Sequence, residues 1–568
     1  MDLKTFFENF DTLAEAPGGI ARLRELILDM AVRGKLVPQD PKDPTAKETH
    51  KLLLAEQAQL RKEKKIRVGK KLSSVESHEV FVDIPHNWHW IRLNDVGDWG
   101  AGTTPLRSND NYYGGSHPWF KSGELPDGLL EGPSKEMITD LALDECSLRR
   151  NQIGDVLIAM YGATIGKLAI LNVPATTNQA VCACTCFSNL YNRYLFVFLL
   201  AWRKNFETMG AGAAQPNISR TKIINTPFPL PPLAEQKRIV AKVDELMKQC
   251  DRAEAAQQTR NTLRQNLRTS ALDALMNTTS DTELETAWNF VRDQWSDLSS
   301  HPEDIKELRS VAQQVALRGL LTQRERNSEP IKSVLLKILA EQNESIASGK
   351  HKKAKGCVAI DKTRLSELPD GWTYCQLKDL TVFGPRNGYS PKAVEYPTKV
   401  RSITLTATTS GKFDGQYFKY LDKDIESDSH LWLQPGDLLV QRSNTLAYVG
   451  SAAIYDLEPN KYVYPDLIMR MRVVSAVNPD YIHLVLNSRD SKKYFQENAS
   501  GTSGTMPKIN QKIVNSLVVP LPPTKEQEEI VTKVDELMKQ CDRLETTLRK
   551  KQQIAEALVA SATSHLIA

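Results

Sequence analysis

The sequence predicts an α+β protein: two mixed α/β domains separated by two long antiparallel coiled-coil helices, related by a pseudo-twofold internal duplication. Three observations predict it. The chain has 568 residues, well beyond the ~250 at which a single hydrophobic core stops growing. It is written twice, with matched segments 284 to 291 residues apart. The segments that close each copy carry a heptad pattern, whereas the segments between them have drifted.

The repeats set the boundaries. FPLPPLAEQKRIVAKVDELMKQCDRAE from Phe228 and VPLPPTKEQEEIVTKVDELMKQCDRLE from Val519 share 20 of 27 residues at an offset of 291. IARLRELILDMAVRGKLV from Ile20 aligns with IKELRSVAQQVALRGLLT from Ile305, and LAEQ follows at Leu54 and Leu339, both at an offset of 285. IPHNWHWIRLNDV from Ile84 matches LPDGWTYCQLKDL from Leu368 at an offset of 284. The predicted order is a helical scaffold at 1–83, a variable domain at 84–228 and a long helix at 229–280. A second scaffold with a basic linker at 281–367, a variable domain at 368–519 and a long helix at 520–568 complete the chain.

Each long helix is read from its seam. Ile239, Val243, Leu246, Cys250, Ala253 and Gln257 step by four and three, as do Ile530, Val534, Leu537, Cys541, Leu544 and Leu548. Pro231 and Pro232 open the first helix, where a missing N–H costs nothing. Thr524 with Gln527 is a capping-box pattern before the second. Arg260 and Arg264 interrupt the first seam, which predicts a local irregularity. Some 45 residues give a spacer of about 65 Å. Two copies in one chain favour an internal antiparallel pair over a coil between two molecules.

Both variable domains follow one plan. The first has strands at GDVLIAMY (from Gly154) and AVCACTCF (from Ala180), a helix around RYLFVFLLAWRKNF (from Arg193) and the Gly-rich GAGAAQPNIS (from Gly210). The second has GDLLVQR (from Gly436), DLIMRMRVV (from Asp466), a helix in PDYIHLVLNSRDSKKYF (from Pro479) and SGTSGTMPKIN (from Ser500).

Composition bounds the class. Apolar residues at 41% and charged residues at 25% are ordinary for a globular chain. The apolar stretch Tyr194 to Trp202 is far shorter than the ~20 residues that span a bilayer, and the N-terminus is no signal peptide, so a cytoplasmic location without membrane contact is expected. Eight scattered cysteines argue against a disulfide framework. A net charge of +4 neither requires nor excludes nucleic acid. Local basic runs lie at Gln59 to Lys71 and Lys350 to Lys355.

Catalytic signatures do not assemble. GATIGKL at Gly162 has three residues between its glycines where a phosphate loop needs four, and Leu168 where Ser or Thr belongs. Pro465, Asp466, Asp490 and Lys492 can be drawn as a nuclease pattern, but Asp490 and Lys492 fall on a predicted helix. Cys182, Cys184 and Cys186 alternate along one strand face without zinc spacing and read as core. No Asn-Pro-Pro-aromatic motif of an adenine methyltransferase occurs. A non-catalytic chain is expected.

PLPPLAEQKRIVAKVDEL at Pro229 and its copy at Pro520 resemble the conserved repeats of type I restriction-modification specificity subunits. The W-x-x-x-x-L-x-D openings at Trp88 and Trp372 and the GD-[VL]-L-[IV] strands at Asp155 and Asp437 are similar too. The resemblance implies two target recognition domains, each reading half of an asymmetric bipartite site in double-stranded DNA. It implies that the scaffold docks two methyltransferase subunits, with restriction translocase-nuclease subunits as further partners, and that residues 1–75 pack near the C-terminal helix. S-adenosylmethionine, ATP and Mg2+ would belong to those partners, with no cofactor in this chain. The alternatives are a self-contained methyltransferase or nuclease, and a coiled-coil tether that never touches DNA.

Loops with groove-reading chemistry are the expected contacts. They are Thr103, Thr104 and Arg107; Lys121 and Ser122; Tyr161, Thr164 and Lys167; and in the second domain Gln441, Arg442, Ser443 and Asn444. Counted from the shared Gly-Asp, Tyr161 falls opposite Ser443, so the two loops begin alike and differ in chemistry. Arg442 can be bidentate to guanine and Asn444 to adenine, each worth about 1–3 kcal/mol of discrimination.

Overall fold

The inner strands of both variable domains, VLIA and LAIL in the first and LLVQ in the second, are apolar runs rather than alternating ones, so each sheet needs cover on two faces. The computed structural model describes residues 10–67, 72–210, 216–278, 280, 281–299, 301–322, 329–349, 357, 359–361, 365, 367–501 and 506–567. The basic run Lys350 to Lys355, the end of the run at Gln59 to Lys71, and the Gly-rich stretches at 211–215 and 502–505 lie outside the described residues. The chain forms two units, Met1–Thr259 with Gln552–Ala568, and Arg260–Lys551.

In the first unit the sheet runs Gly97–Ala101, Val181–Cys186, Val156–Ala159, Leu168–Leu171 and Gly128–Leu130, antiparallel except for the last pair. Val156 and Ile158 face a core shared with the scaffold, while Leu157 and Ala159 face a second core with Phe120 and Leu130. The second unit repeats this with Thr381–Asn387, Ile468–Val473, Leu438–Gln441 and Ala452–Ile454. Leu438 and Val440 face one core and Leu439 the other. Each domain opens and closes on one antiparallel pair, His89–Arg92 with Pro227–Leu230 and Thr373–Gln376 with Val518–Leu521. The chain therefore enters and leaves each domain at the same place.

The predicted domain helices each break in two. Asn192–Ala201 is followed by Arg203–Gly210, and Pro479–Asn487 by Arg489–Asn498. At the second break Ser488 is extended, and its hydroxyl accepts from the Ser491 N–H at 3.2 Å. The chain thus starts a new capped helix there.

The residues that repeat in sequence are the joints of the fold. In the two LAEQ motifs Glu56 accepts from the N–H (2.8 Å) and hydroxyl (3.0 Å) of Ser188, and Glu341 from those of Ser475 (2.9 and 2.6 Å). The neighbouring Gln57 donates to the Asn94 carbonyl and Gln342 to that of Lys378. Arg24 pairs with Asp251 and Glu254 of its own long helix, as Arg309 does with Asp542 and Glu545. The named contacts of the N-terminal scaffold lie with the first copy, and its unit also holds Gln552–Ala568, the end of the C-terminal helix near which residues 1–75 are expected.

The long helices, Leu233–Met276 and Thr524–Ile567, have 44 residues each, or about 66 Å. The first runs unbroken through Arg260 and Arg264, and the expected irregularity is a one-residue shift of its seam: after Gln257 the partly buried position is Asn261, not Arg260, and Arg268 is buried while Leu267 is exposed. Arginine is a good helix former and neither side chain is fully buried there. Ile239, Val243, Leu246 and Cys250 are buried against their own scaffold and domain, as are Ile530 and Val534 in the second copy. The capping box at Thr524 is also corrected. Its hydroxyl donates to the Ala476 carbonyl at 2.9 Å, and Gln527 turns to the Pro522 carbonyl and the Asn478 N–H.

Gly34 and Gly319, both from the repeated R-G dipeptide, sit at φ +69° and +71°. A Cβ on Gly34 would lie 2.5 Å from Pro85 and 3.0 Å from Trp88; on Gly319 it would meet Pro369 at 2.6 Å and Trp372 at 3.0 Å. The scaffold is thereby seated under the opening motif of each domain. Gly34→Ala and Gly319→Ala combine positive-φ strain with a clash. Each is expected to lower unfolding free energy by about 2–4 kcal/mol in denaturant titrations, whereas Gly18→Ala, at the same φ but in open space, costs less.

Candidate nucleic-acid interface

At one end of each sheet four loops meet. In the first domain the Thr103 N–H donates to Thr177, Met160 to Ala180, Gly162 to Pro216 and Ile218 to Met160, at 2.8–3.0 Å. Asn178 donates to the Phe120 carbonyl, which brings Lys121 and Ser122 beside them. In the second domain Tyr389 donates to Tyr464, Arg442 to Leu467 and Ile509 to Arg442. The close approach needs glycine: a Cβ on Gly102 would lie 2.2 Å from the Thr177 carbonyl oxygen, and one on Gly388 2.0 Å from that of Tyr464. Hydroxyl contacts repeat as well, Thr104 with Gln179 and Ser390 with Asp466.

The residues expected from sequence divide by availability. Thr103 bonds the Ser147 carbonyl and Thr164 that of Tyr161, so both hold loop geometry. Tyr161 is 43% exposed at the strand end, where it bridges to Asn217. Lys167 is half-buried, and Ser122 sits in the turn Ser122–Glu124. Arg107 and Lys121 both pair with Glu136, and the Arg107 guanidinium lies over the rings of Tyr113 (4.6 Å) and Trp119 (4.9 Å). Lys121, then Arg107, hold the Glu136 carboxyl below the usual range. Trp119 and Phe120 are each 1% exposed and belong to the core.

In the second domain two expected readers are corrected. Gln441 is fully buried: its amide donates to the Leu405 carbonyl, Thr408 and Thr409, and its carbonyl accepts from Asn444. Ser443 is also fully buried and donates to the Pro507 carbonyl. Neither presents a group to a base. Asn444 is half-buried, with its amide on Gln441 and its carbonyl on the Thr445 N–H. Arg442 remains at the loop surface, half-buried, with a 3.4 Å contact to the Asp466 carbonyl.

Sequence reasoning missed Tyr389, Ser390 and Lys508, which the structure puts at this end of the second sheet. A signal was present: Gly102-Thr103-Thr104-Pro105 aligns with Gly388-Tyr389-Ser390-Pro391. The other chemical patterns settle as structure. Cys182 and Cys184 are fully buried, and burial pushes the Cys182 thiol up to about 12. Asp490 and Lys492 lie on the helix Arg489–Asn498, while Asp466 is held in its loop by Ser390.

Gln441→Ala is expected to lower stability by about 1–3 kcal/mol, because it strands the Asn444 amide and removes three loop contacts. Arg442→Ala should stay within about 0.5 kcal/mol of the parent in the same denaturant titration. The reverse order would return Gln441 to the candidate contact surface.

A model of the type I restriction modification DNA specificity domain matches the chain twice, at residues 85–263 and 369–556. The chain is 28% identical to the specificity subunit of the type I restriction enzyme EcoEI of Escherichia coli, over 96% of this chain and 94% of that one. It is 30% identical to the EcoAI specificity subunit of Escherichia coli over the same shares. The solved HsdS subunit from Thermoanaerobacter tengcongensis aligns with a TM-score of 0.38 and 16% identity, covering 86% of this chain and 97% of that one.

Proposed function

Because this chain belongs to the family of type I restriction-modification DNA specificity subunits, we infer that each of its two recognition domains reads one half of an asymmetric bipartite DNA site. The observation that carries this is the pair of domains with the same four-loop end and different side chains on it. Arg107, Lys121, Tyr161 and Lys167 face one half-site; Arg442, Tyr389 and Lys508 face the other. Phosphate contacts from the cations position the duplex, and the loop residues with free hydrogen-bonding groups read base edges.

The chain directs chemistry performed by others. Two methyltransferase subunits dock on its helical scaffold, one for each copy of the duplication, and transfer methyl groups to adenines in or beside the half-sites. Restriction translocase-nuclease subunits join the same assembly. S-adenosylmethionine, ATP and Mg2+ are bound by those partners, and the chain itself is non-catalytic. No helix among the described residues is long and apolar enough to cross a membrane; the assembly acts in the cytoplasm, where its DNA is.

Expressed with its methyltransferase subunit, the chain should place methylated adenines in one asymmetric motif of two short halves separated by a fixed gap, as mapped by single-molecule sequencing of host DNA. A continuous motif or a palindrome contradicts two different readers. The purified chain alone, given S-adenosylmethionine and duplex DNA, should transfer no methyl group. DNA binding by the complex should weaken steeply with salt, by about one power of ten in affinity per tenfold salt for each phosphate neutralised; indifference to salt would favour a tether.

A further inference from the structure

We infer that the loop Thr445 to Tyr448 of the second recognition domain is an apolar wedge that enters a base step of the half-site this domain reads. The inference rests on the DNA-reading function proposed above and adds how one half is read.

The loop is exposed at its tip and fixed at its base. Thr445, Leu446, Ala447 and Tyr448 are all exposed, with Leu446 at 52% and Tyr448 at 44%. Below them the Gly450 N–H donates to the Gln441 carbonyl at 2.8 Å and the Gln441 N–H to that of Ser451 at 2.8 Å. The Asn444 side chain spans from Gln441 to the Thr445 N–H, and Val449, 1% exposed, anchors the far side in the core. Gly450 at φ +80° leaves no room for a Cβ, which would lie 2.2 Å from the Phe495 ring. The buried carboxamide of Gln441 therefore stiffens the loop that carries the tip.

The surroundings suit a nucleic acid. Lys508 is exposed and bridges through its backbone to Ser443, and Arg442 begins the loop. Asp466 at this end is held by Ser390. Met506, 51% exposed, reaches the Ser443 hydroxyl through its sulfur at 3.9 Å and adds apolar surface beside the loop base. Leucine and methionine beside cations are side chains that proteins insert between base pairs to unstack a step. At the corresponding turn the first domain presents a different surface: Gly162–Thr164 is followed by Ile165, which is buried, and Tyr161 is the large exposed side chain beside it, while the exposed Leu106 stands on a separate loop. The two domains are thus expected to differ in how this turn meets the half-site.

The test uses the chain assembled with its methyltransferase subunit and duplexes carrying 2-aminopurine at successive positions across the mapped site. The parent complex should brighten at the methylation targets, where a base is flipped, and at one further step in the half read by the second domain. Leu446→Ala and Tyr448→Ala together should abolish the further signal, retain the target signal in the first half and weaken binding about 10- to 100-fold. Unchanged thermal unfolding confirms an intact fold, since both side chains are exposed. Equal brightening and affinity in parent and variant overturn the wedge. Loss of the methyltransferase subunit from the variant complex also overturns it, by making the loop a protein contact. A parent complex with no site preference removes the underlying reading, and the wedge with it.

Discussion

The carboxamides of Gln236 and Gln527 are the joints on which each copy depends. Both side chains are fully buried. Each amide donates to a carbonyl of the preceding Pro-Pro turn, Pro231 or Pro522, at 3.0 Å, and each carbonyl accepts at 2.8 Å from the N–H that starts the main domain helix, at Tyr191 or Asn478. A buried amide with either half unpaired carries a penalty of about 1–3 kcal/mol. The geometry of three elements is therefore fixed together: the closing strand, the long helix and the domain helix. Tyr194 and Tyr481 reinforce it by donating to the Pro229 and Pro520 carbonyls. A long helix that begins in a rigid corner can act as a spacer; one that begins in a loose turn cannot.

Much of this frame was legible from the chain because its constraints are written twice. A residue kept in both copies at an exposed or polar position must do the same work in both, and Glu56 with Glu341, Gln57 with Gln342, and Gly34 with Gly319 all prove to be joints between the scaffold and its domain. The heptad steps located the buried faces of the long helices correctly. What the steps could not say is which surface covers them, since leucine and cysteine bury equally well against a scaffold helix or a coiled-coil partner. Thr524 and Gln527 likewise look like a local cap, whereas Thr524 bonds the Ala476 carbonyl and Gln527 ties its own Pro-Pro turn to the Asn478 N–H.

The candidate site was less legible, for a physical reason. Spacing locates a strand end but not the direction of each side chain around a tight turn. Gln441 and Arg442 are adjacent, yet one is wholly consumed inside the loop and the other stays at its surface. Tyr389 stands at a second landmark, the Gly-x-[Thr/Ser]-Pro turn shared by Gly102 and Gly388, which the Gly-Asp strand alone does not locate. Both copies keep the glycine that allows the loops to touch and the hydroxyl that ties them, and vary the residues standing outside these constraints. Conserved loop architecture with exchangeable surface chemistry is what a reader of many possible sequences requires.

The central claim is that the frame is common to both copies and that specificity resides in the domains it carries. Replacing the second variable domain, residues 368–519, with a copy of the first, residues 84–228, while retaining both long helices and both scaffolds, isolates that claim. Methylation mapped in cells carrying this chain and its methyltransferase subunit should move to a palindromic bipartite motif, the first half-site repeated in inverted orientation. An assembled complex that still methylates the original asymmetric motif would contradict the account.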